Sequence, residues 1–234
     1  MSRVQIRHDF DVELVQNIGD DEFICKAARV STMGMDSINS EESAGLIKFL
    51  MSNRHGSPFE HNLMTFRINA PIFVWREFMR HRIGFSYNEQ SGRYMEMIPV
   101  FYIPGKERNL VQVGKPGAYE FIPGDPGAYN DTYIRQLDAC QEAWDTYQEQ
   151  LETGVAKEVA RMVLPVSIYS AAYVSCNARS MMNFLSLRTK YDDSLFPSFP
   201  MKEINMVADQ MEEIFATLYP ITSAAFNSAR RVAP

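Results

Sequence analysis

The chain has 234 residues, a net charge of −6, 46% apolar and 22% charged residues, which suits a folded protein with a substantial core. The acidic balance argues against a general nucleic-acid binder, and no apolar run approaches the roughly 18 residues needed to span a bilayer. Three cysteines at no metal-like spacing and a start without an apolar leader give the expectation of a soluble, cytoplasmic, metal-free protein with no nucleic-acid or membrane partner.

In chain order, Val4 and Ile6 and then Val12, Leu14 and Val15 read as an opening strand pair or strand-turn. Asp20 and Asp21 sit where acids favour the start of a helix, here one running through Val30. Ser40 is a suitable N-cap for a helix to about Asn53 with Ala44, Leu46, Ile47 and Leu50 as its apolar stripe. A polar loop, His55 to His61, leads to a strand from Leu63 to Asn69, and Pro71 suits the first turn of the next helix. That helix delivers Glu77, Arg80 and His81 near its C-terminal end, and Ile98 to Ile103 is a second extended run.

Residues 104–129 are dense in Gly and Pro, with Pro-Gly-Ala-Tyr at 116–119 and again at 126–129, and read as a surface excursion. Asn130 or Asp131 is the expected cap of the longest helix, which runs to Thr153 with Gly154 as its C′ residue. Val155 to Val163 reads as a short helix, and Val166 to Ser175 as extended, with a helix as the alternative. Helices over Asn177 to Leu187, Met201 to Leu218 and Ile221 to Arg231 complete the chain, with a loop from Thr189 to Pro200. No composition break marks a second domain. Separated strands and several long helices point to one α+β domain, 1–234, with a central, mainly antiparallel sheet flanked by long helices.

The common loop-based phosphate sites are absent: there is no Gly-x-Gly-x-x-Gly and no glycine loop ending in Lys-Ser or Lys-Thr. Cys25, Cys140 and Cys176 lie among apolar neighbours and suit a core better than a nucleophile, and His55 and His61 are a weak metal signal. What remains is two clusters. Arg80-His81-Arg82 stands with Glu89, Gln90, Ser91, Gly92 and Arg93; Arg161 stands with Asn177, Ala178, Arg179, Ser180, Asn183 and Arg188. Arg179 and Asn183 are four apart and share a helix face. Guanidinium forks fit phosphate, while amides and hydroxyls read a heterocycle edge, so the clusters point to a phosphorylated heterocyclic substrate and a second phosphate-bearing ligand.

The run Arg80-His81-Arg82 … Ser91-Gly92-Arg93-Tyr94 resembles the signature of the flavin-dependent thymidylate synthases. Arg29-Val30-Ser31, His55 to His61, Ala160 to Pro165 and Asn177 to Leu185 resemble further blocks of that family, in the family order and over most of the chain. The resemblance implies a homotetramer of α+β subunits that transfers the methylene of 5,10-methylenetetrahydrofolate to dUMP and reduces it with a flavin hydride renewed by NADPH. It implies FAD contacts at Ser57, Arg80, His81, Arg82, Glu89, Asn177, Ala178, Arg179 and Asn183, with His55 and Ser31 nearby. For dUMP it implies Glu77, Phe78, Met79 and Arg80, then Glu89, Gln90, Ser91, Gly92 and Arg93 of another subunit, with Arg161 and Arg188. Arg188 is implied to be catalytic, stabilising negative charge as the uracil N3 ionises.

Two positions depart from the family pattern. Eight residues, Ile83 to Gln90, separate the Arg-His-Arg from Ser91 where seven are usual, and the extra one is placed near Gly84; position 77 is Glu where Gln is frequent. The 104–129 excursion is also longer than the family pattern leads one to expect. The alternative from another class is a catalytically silent FAD- and nucleotide-binding protein of the same fold.

Overall fold

The computed structural model describes residues 3–30, 40–116 and 118–234. Ser31, Gly117 and the side chain of Ser40, each singled out above, lie outside the described set.

Two short strands open the chain, β1 (Gln5–Arg7) and β2 (Asp11–Ile18), as the alternation predicts. Helix α1 (Asp21–Arg29) is capped by Asp20, whose carboxylate accepts the Phe23 N–H at 2.8 Å. Asp21, expected to serve the α1 dipole, does something else. It is buried and accepts from Ile221 N (2.7 Å), Thr222 N (3.0 Å) and Thr222 Oγ1 (2.6 Å), so it caps a helix 200 residues further along the chain. Helix α2 (Ser40–Ser52) buries Ser43, Ile47, Leu50 and Met51, while Ala44 of the expected stripe is exposed. The following loop contains a 3-10 turn, Ser57–Glu60, whose Pro58 and Phe59 are buried.

Strand β3 (Leu63–Pro71) buries Met64, Phe66, Ile68 and Ala70 on one face. It outruns the expected strand, and Pro71 ends it instead of opening the helix. Helix α3 (Ile72–Phe78) starts one residue later because the Ile72 and Phe73 N–H groups, orphans of its first turn, are satisfied by the carbonyls of Ile168 and Val166 at 3.0 Å each. Strand β4 (Phe85–Glu89) lies inside the motif stretch and was not expected. Phe85, Tyr87 and Glu89 are half-buried and alternate with exposed Ser86 and Asn88, a period-2 signal concealed by the polar residues.

Strand β5 (Val100–Tyr102) falls in the expected run. The excursion contains an unforeseen antiparallel hairpin, β6 (Val111–Lys115) against β7 (Ala118–Ile122), with Val111 opposite Ile122 and Lys115 opposite Ala118. Helix α4 (Pro126–Glu152) begins earlier than Asn130 or Asp131 would allow: Asp125 is the cap, accepting from Gly127 N at 2.7 Å, and Pro126 occupies the first turn. The second Pro-Gly-Ala-Tyr is therefore helical. Gly154 beyond α4 has φ +86°, the left-handed C′ conformation expected of it.

Helix α5 (Lys157–Ala160) continues into a 3-10 turn, Arg161–Val163. Strand β8 (Tyr169–Cys176) settles the 166–175 run as extended. Helix α6 (Ala178–Arg188) is capped by Asn177, which accepts from Ser180 N at 2.9 Å, and α7 (Lys202–Leu218) and α8 (Pro220–Ser228) follow.

The chain forms two units, each drawn from separated segments. The first takes residues up to Phe10, Asn69–Arg76 and Glu89–Ala171. In it β1 pairs in parallel with β5, and α4 supplies Cys140, Trp144 and Tyr147 to a core shared with Val4, Met97, Phe101, Ala160 and Ile168. The second takes Asp11–Ile68, Glu77–Asn88 and Ala172–Pro234. Its sheet has the order β2-β3-β8-β4; α1 packs on α2, α8 packs on α2 and α7, and α6 packs on α7. The expected α+β class, an antiparallel sheet among helices, is what the chain adopts. Among the described residues no helix is long and apolar enough to cross a membrane.

Candidate active site

The second unit holds the Arg-His-Arg motif on the turn between α3 and β4. The turn is pinned from below: Tyr87 OH donates to the carbonyls of Phe78 (3.1 Å) and His81 (2.6 Å), and burial pushes the Tyr87 phenol well up. Phe78 is fully buried, its ring 4.6 Å from that of Phe184, so its side chain serves the core. Met79 beside it is half-buried. Arg80 and Arg82 are exposed, and neither guanidinium has an ion-pair partner among the described residues.

Arg188, the last residue of α6, reaches back to this turn. Its Nη1 lies 2.7 Å from Glu77 Oε2, its Nη2 is 3.4 Å from the Glu77 carbonyl, and its Nε donates to His81 Nε2 at 3.0 Å. With 19% of its side chain exposed, Arg188 is a largely shielded cation held on two sides. His81 must be unprotonated at Nε2 to accept that bond. Burial first, and the Arg188 charge second, lower its pKa from 6.5 to about 4. Glu77, read as a substrate contact, is thus also the partner of the expected catalytic arginine.

The other candidate residues of the second unit lie around the start of α6. Ser57 is exposed at the head of its 3-10 turn. Arg179 bonds Glu60 Oε1 through Nη1 (2.5 Å) and the Pro234 carbonyl through Nε (2.6 Å). Gly56 packs against that guanidinium so tightly that a Cβ would sit 2.5 Å from Arg179 Cζ. Asn177 is committed to the cap, and Ala178 is buried with its N–H given to Asn62 Oδ1 at 2.7 Å. Exposed Asn183 donates to the Arg179 carbonyl at 3.0 Å. His55 is exposed, with its ring edge-on to Phe49 at 5.7 Å.

The first unit holds the Glu89–Arg93 segment and Arg161. Gln90 N–H bonds the Ala171 carbonyl at 2.8 Å, and Ser91 Oγ accepts the Arg93 N–H at 3.3 Å. Arg93 pairs with Glu158 at 2.8 Å, both partly exposed, whereas Arg161 is exposed with no ion pair among the described residues. Glu89, Gln90, Gly92, Arg161 and Ser170 line one cavity of about 80 Å³. A larger cavity of about 680 Å³ beside His8, Lys106 and Tyr133 contains none of the motif residues, so the concentration of charge and amide groups, not volume, identifies the site.

Sequence reasoning missed Tyr87 as the turn's anchor, although its alternation with Ser86 and Asn88 was available. Ser170, which lines the smaller cavity, carries no motif. Cys25, Cys140 and Cys176 are free and buried, and burial raises the pKa of each, which leaves them as unreactive thiols. No group of three or more His, Cys, Asp or Glu among the described residues could hold a metal ion.

Residues 13–221 match the family model described as thymidylate synthase complementing protein. The flavin-dependent thymidylate synthase of Streptomyces coelicolor is 52% identical over 237 residues, covering 99% of this chain and 96% of that protein. The enzyme of the same name from Tropheryma whipplei is 52% identical over 230 residues, covering 97% and 95%. Among solved structures, a UMP/dUMP methylase, PolB, from Streptomyces cacaoi bound with 5-Br dUMP superposes with a TM-score of 0.93 at 47% identity, covering 99% of this chain and 100% of that one. The chain belongs to the thymidylate synthase complementing protein family.

Proposed function

We propose that this chain is a flavin-dependent thymidylate synthase, making dTMP from dUMP with the methylene of 5,10-methylenetetrahydrofolate and reducing equivalents from NADPH. The observation that carries the reading is Arg188, a shielded guanidinium fixed by Glu77 and His81 beside the Arg80–Arg82 turn. Uracil C5 is a poor nucleophile until negative charge builds in the ring. A preorganised cation at the N3 edge lowers the energy of that charged state, in the manner of an oxyanion hole. No activated thiol is then required, which agrees with three buried cysteines whose pKa values are raised.

The donor set suits FAD. Arg80 and Arg82 offer two exposed guanidinium groups, without an ion-pair partner among the described residues, for a diphosphate, and Ser57 and Asn183 add exposed polar groups. In this reading Ser57, Arg80, His81, Arg82, Glu89, Asn177, Ala178, Arg179 and Asn183 surround the flavin. The bound flavin supplies the hydride that completes the methyl group. Glu77 to Arg80, Glu89 to Arg93, Arg161 and Arg188 bind dUMP, with Arg93 and Arg161 suited to the phosphate. In keeping with the family resemblance, we assign the Glu89–Arg93 segment to a dUMP site completed by another subunit of a cytoplasmic homotetramer.

The test is a dUMP-to-dTMP assay with FAD, NADPH and methylenetetrahydrofolate, omitting each in turn. Product should require all three. A colourless protein that takes up no FAD, or dTMP formation independent of flavin, would refute the proposal.

A further inference from the structure

We infer that Ser170 is a nucleotide-contacting residue: its hydroxyl hydrogen bond, unmade among the described residues, is completed by the nucleotide that occupies the niche of Glu89, Gln90, Gly92 and Arg161. The inference rests on the reading of that niche as part of the dUMP site.

Ser170 is 2% exposed, and its Oγ is one of two buried side-chain polar atoms without a hydrogen-bond partner among the described residues. The other, Arg231 Nε, belongs to a guanidinium whose remaining nitrogens bond Glu212, Asn227 and Thr189. The Ser170 hydroxyl has no such compensation, and a desolvated, unpaired hydroxyl is unfavourable for a residue with a purely structural duty. Strand β8 carries alanine at the next two positions, so a methyl side chain is compatible with its packing.

The residue is also held in place. Trp75 Nε1 donates to the carbonyls of Ser170 (2.9 Å) and Ala70 (3.0 Å), and Gln90 N–H bonds the adjoining Ala171 carbonyl at 2.8 Å. These bonds tie the Ser170 backbone to the segment that begins the Gln90–Arg93 motif and fix the side chain in the cavity wall. A serine hydroxyl both donates and accepts, so it can serve a sugar hydroxyl, a phosphate oxygen or a pyrimidine carbonyl, and one χ1 rotation chooses its direction. The cation and amides for a nucleotide were visible in the sequence; this neutral contact was not.

The experiment uses the flavin-loaded protein and compares wild type, Ser170→Ala and Ser170→Thr by calorimetric titration with dUMP and by thermal melting without dUMP. Ser170→Ala should weaken dUMP binding about 2- to 12-fold, the range of an ordinary neutral hydrogen bond, and its ligand-free melting temperature should equal or exceed that of wild type. Ser170→Thr, which keeps the hydroxyl, should bind within about twofold of wild type, a difference smaller than one such bond. Unchanged affinity in Ser170→Ala overturns the inference. So does equal weakening in both variants, which would indicate shape, or a lowered ligand-free melting temperature in Ser170→Ala, which would place the hydroxyl in the service of the fold. Wild-type protein that takes up no dUMP refutes the nucleotide reading itself.

Discussion

Protonating His81 should disconnect Arg188 from one of its two supports. The imidazole accepts from Arg188 Nε at 3.0 Å, and adding a proton there would replace a hydrogen bond with two adjacent cations. Its pKa falls from 6.5 to about 4, with burial the larger cause and the Arg188 charge the smaller. Because the folded value lies below the unfolded one, the unfolded chain binds more protons between about pH 4 and 6.5. Stability therefore declines as pH drops through that window and is level above it. The full depression corresponds to about 3 kcal/mol, at ~1.36 kcal/mol per pKa unit.

Two measurements follow this. Histidine-labelled NMR can titrate the imidazole directly, with His81→Gln assigning its signal among the four histidines. Denaturant unfolding of wild type and His81→Gln from pH 4 to 7.5 should show their stability difference changing by about 3 kcal/mol below pH 6.5 and remaining flat above it. Arg188→Met should raise the His81 pKa yet leave it under 6.5, since burial remains. An imidazole titrating at 6.5 in the folded wild type, or a stability difference independent of pH, would refute the reasoning.

Other perturbations separate fold from chemistry. Gly84→Ala forces a Cβ into the left-handed region (φ +68°) and to 2.1 Å from Ser180 Oγ, which is bonded to the Ile83 carbonyl; a loss of about 1–3 kcal/mol is expected, and an unchanged melting curve would disprove that account. Replacing Cys25, Cys140 or Cys176 by Ala should preserve kcat in each folded variant, and loss of turnover in any of them would revive a thiol nucleophile. Arg188→Ala should keep flavin absorbance while abolishing dTMP formation; normal turnover would remove its assigned role. Mixing inactive Arg93→Ala and Arg188→Ala proteins under subunit exchange should restore part of the activity if sites are shared, and no recovery would argue for self-contained sites.

Legibility in the sequence followed the range of the forces involved. Helices α1, α6 and α7 were readable because their periodicity and their end residues, Asp20 and Asn177 for the first two, act within a few positions. Pro71 was misplaced because the groups that decide where α3 starts, the carbonyls of Val166 and Ile168, are almost 100 residues away. The start of α4 was misread for a local reason: Pro126 and Gly127 look like a turn, yet Asp125 caps them into a helix. The same division holds at the site. Charged motif residues stood out, while Glu77 as partner of Arg188 and Asp21 as cap of α8 depend on tertiary approach that no local pattern encodes.

The arginines of the candidate site fall into two electrostatic populations. Arg93, Arg179 and Arg188 each pair with a carboxylate, whereas Arg80, Arg82 and Arg161 have no such partner among the described residues. On a chain of net charge −6, these three unpaired groups are local sources of positive field. Ions screen such exposed charges over about 8 Å at physiological ionic strength, and they screen a shielded pair much less. Added salt should thus slow the capture of a phosphate-bearing ligand well before it disturbs the geometry of Arg188. In the proposed reading, encounter rate and catalytic alignment are carried by different arginines, and ionic strength is the variable that pulls them apart.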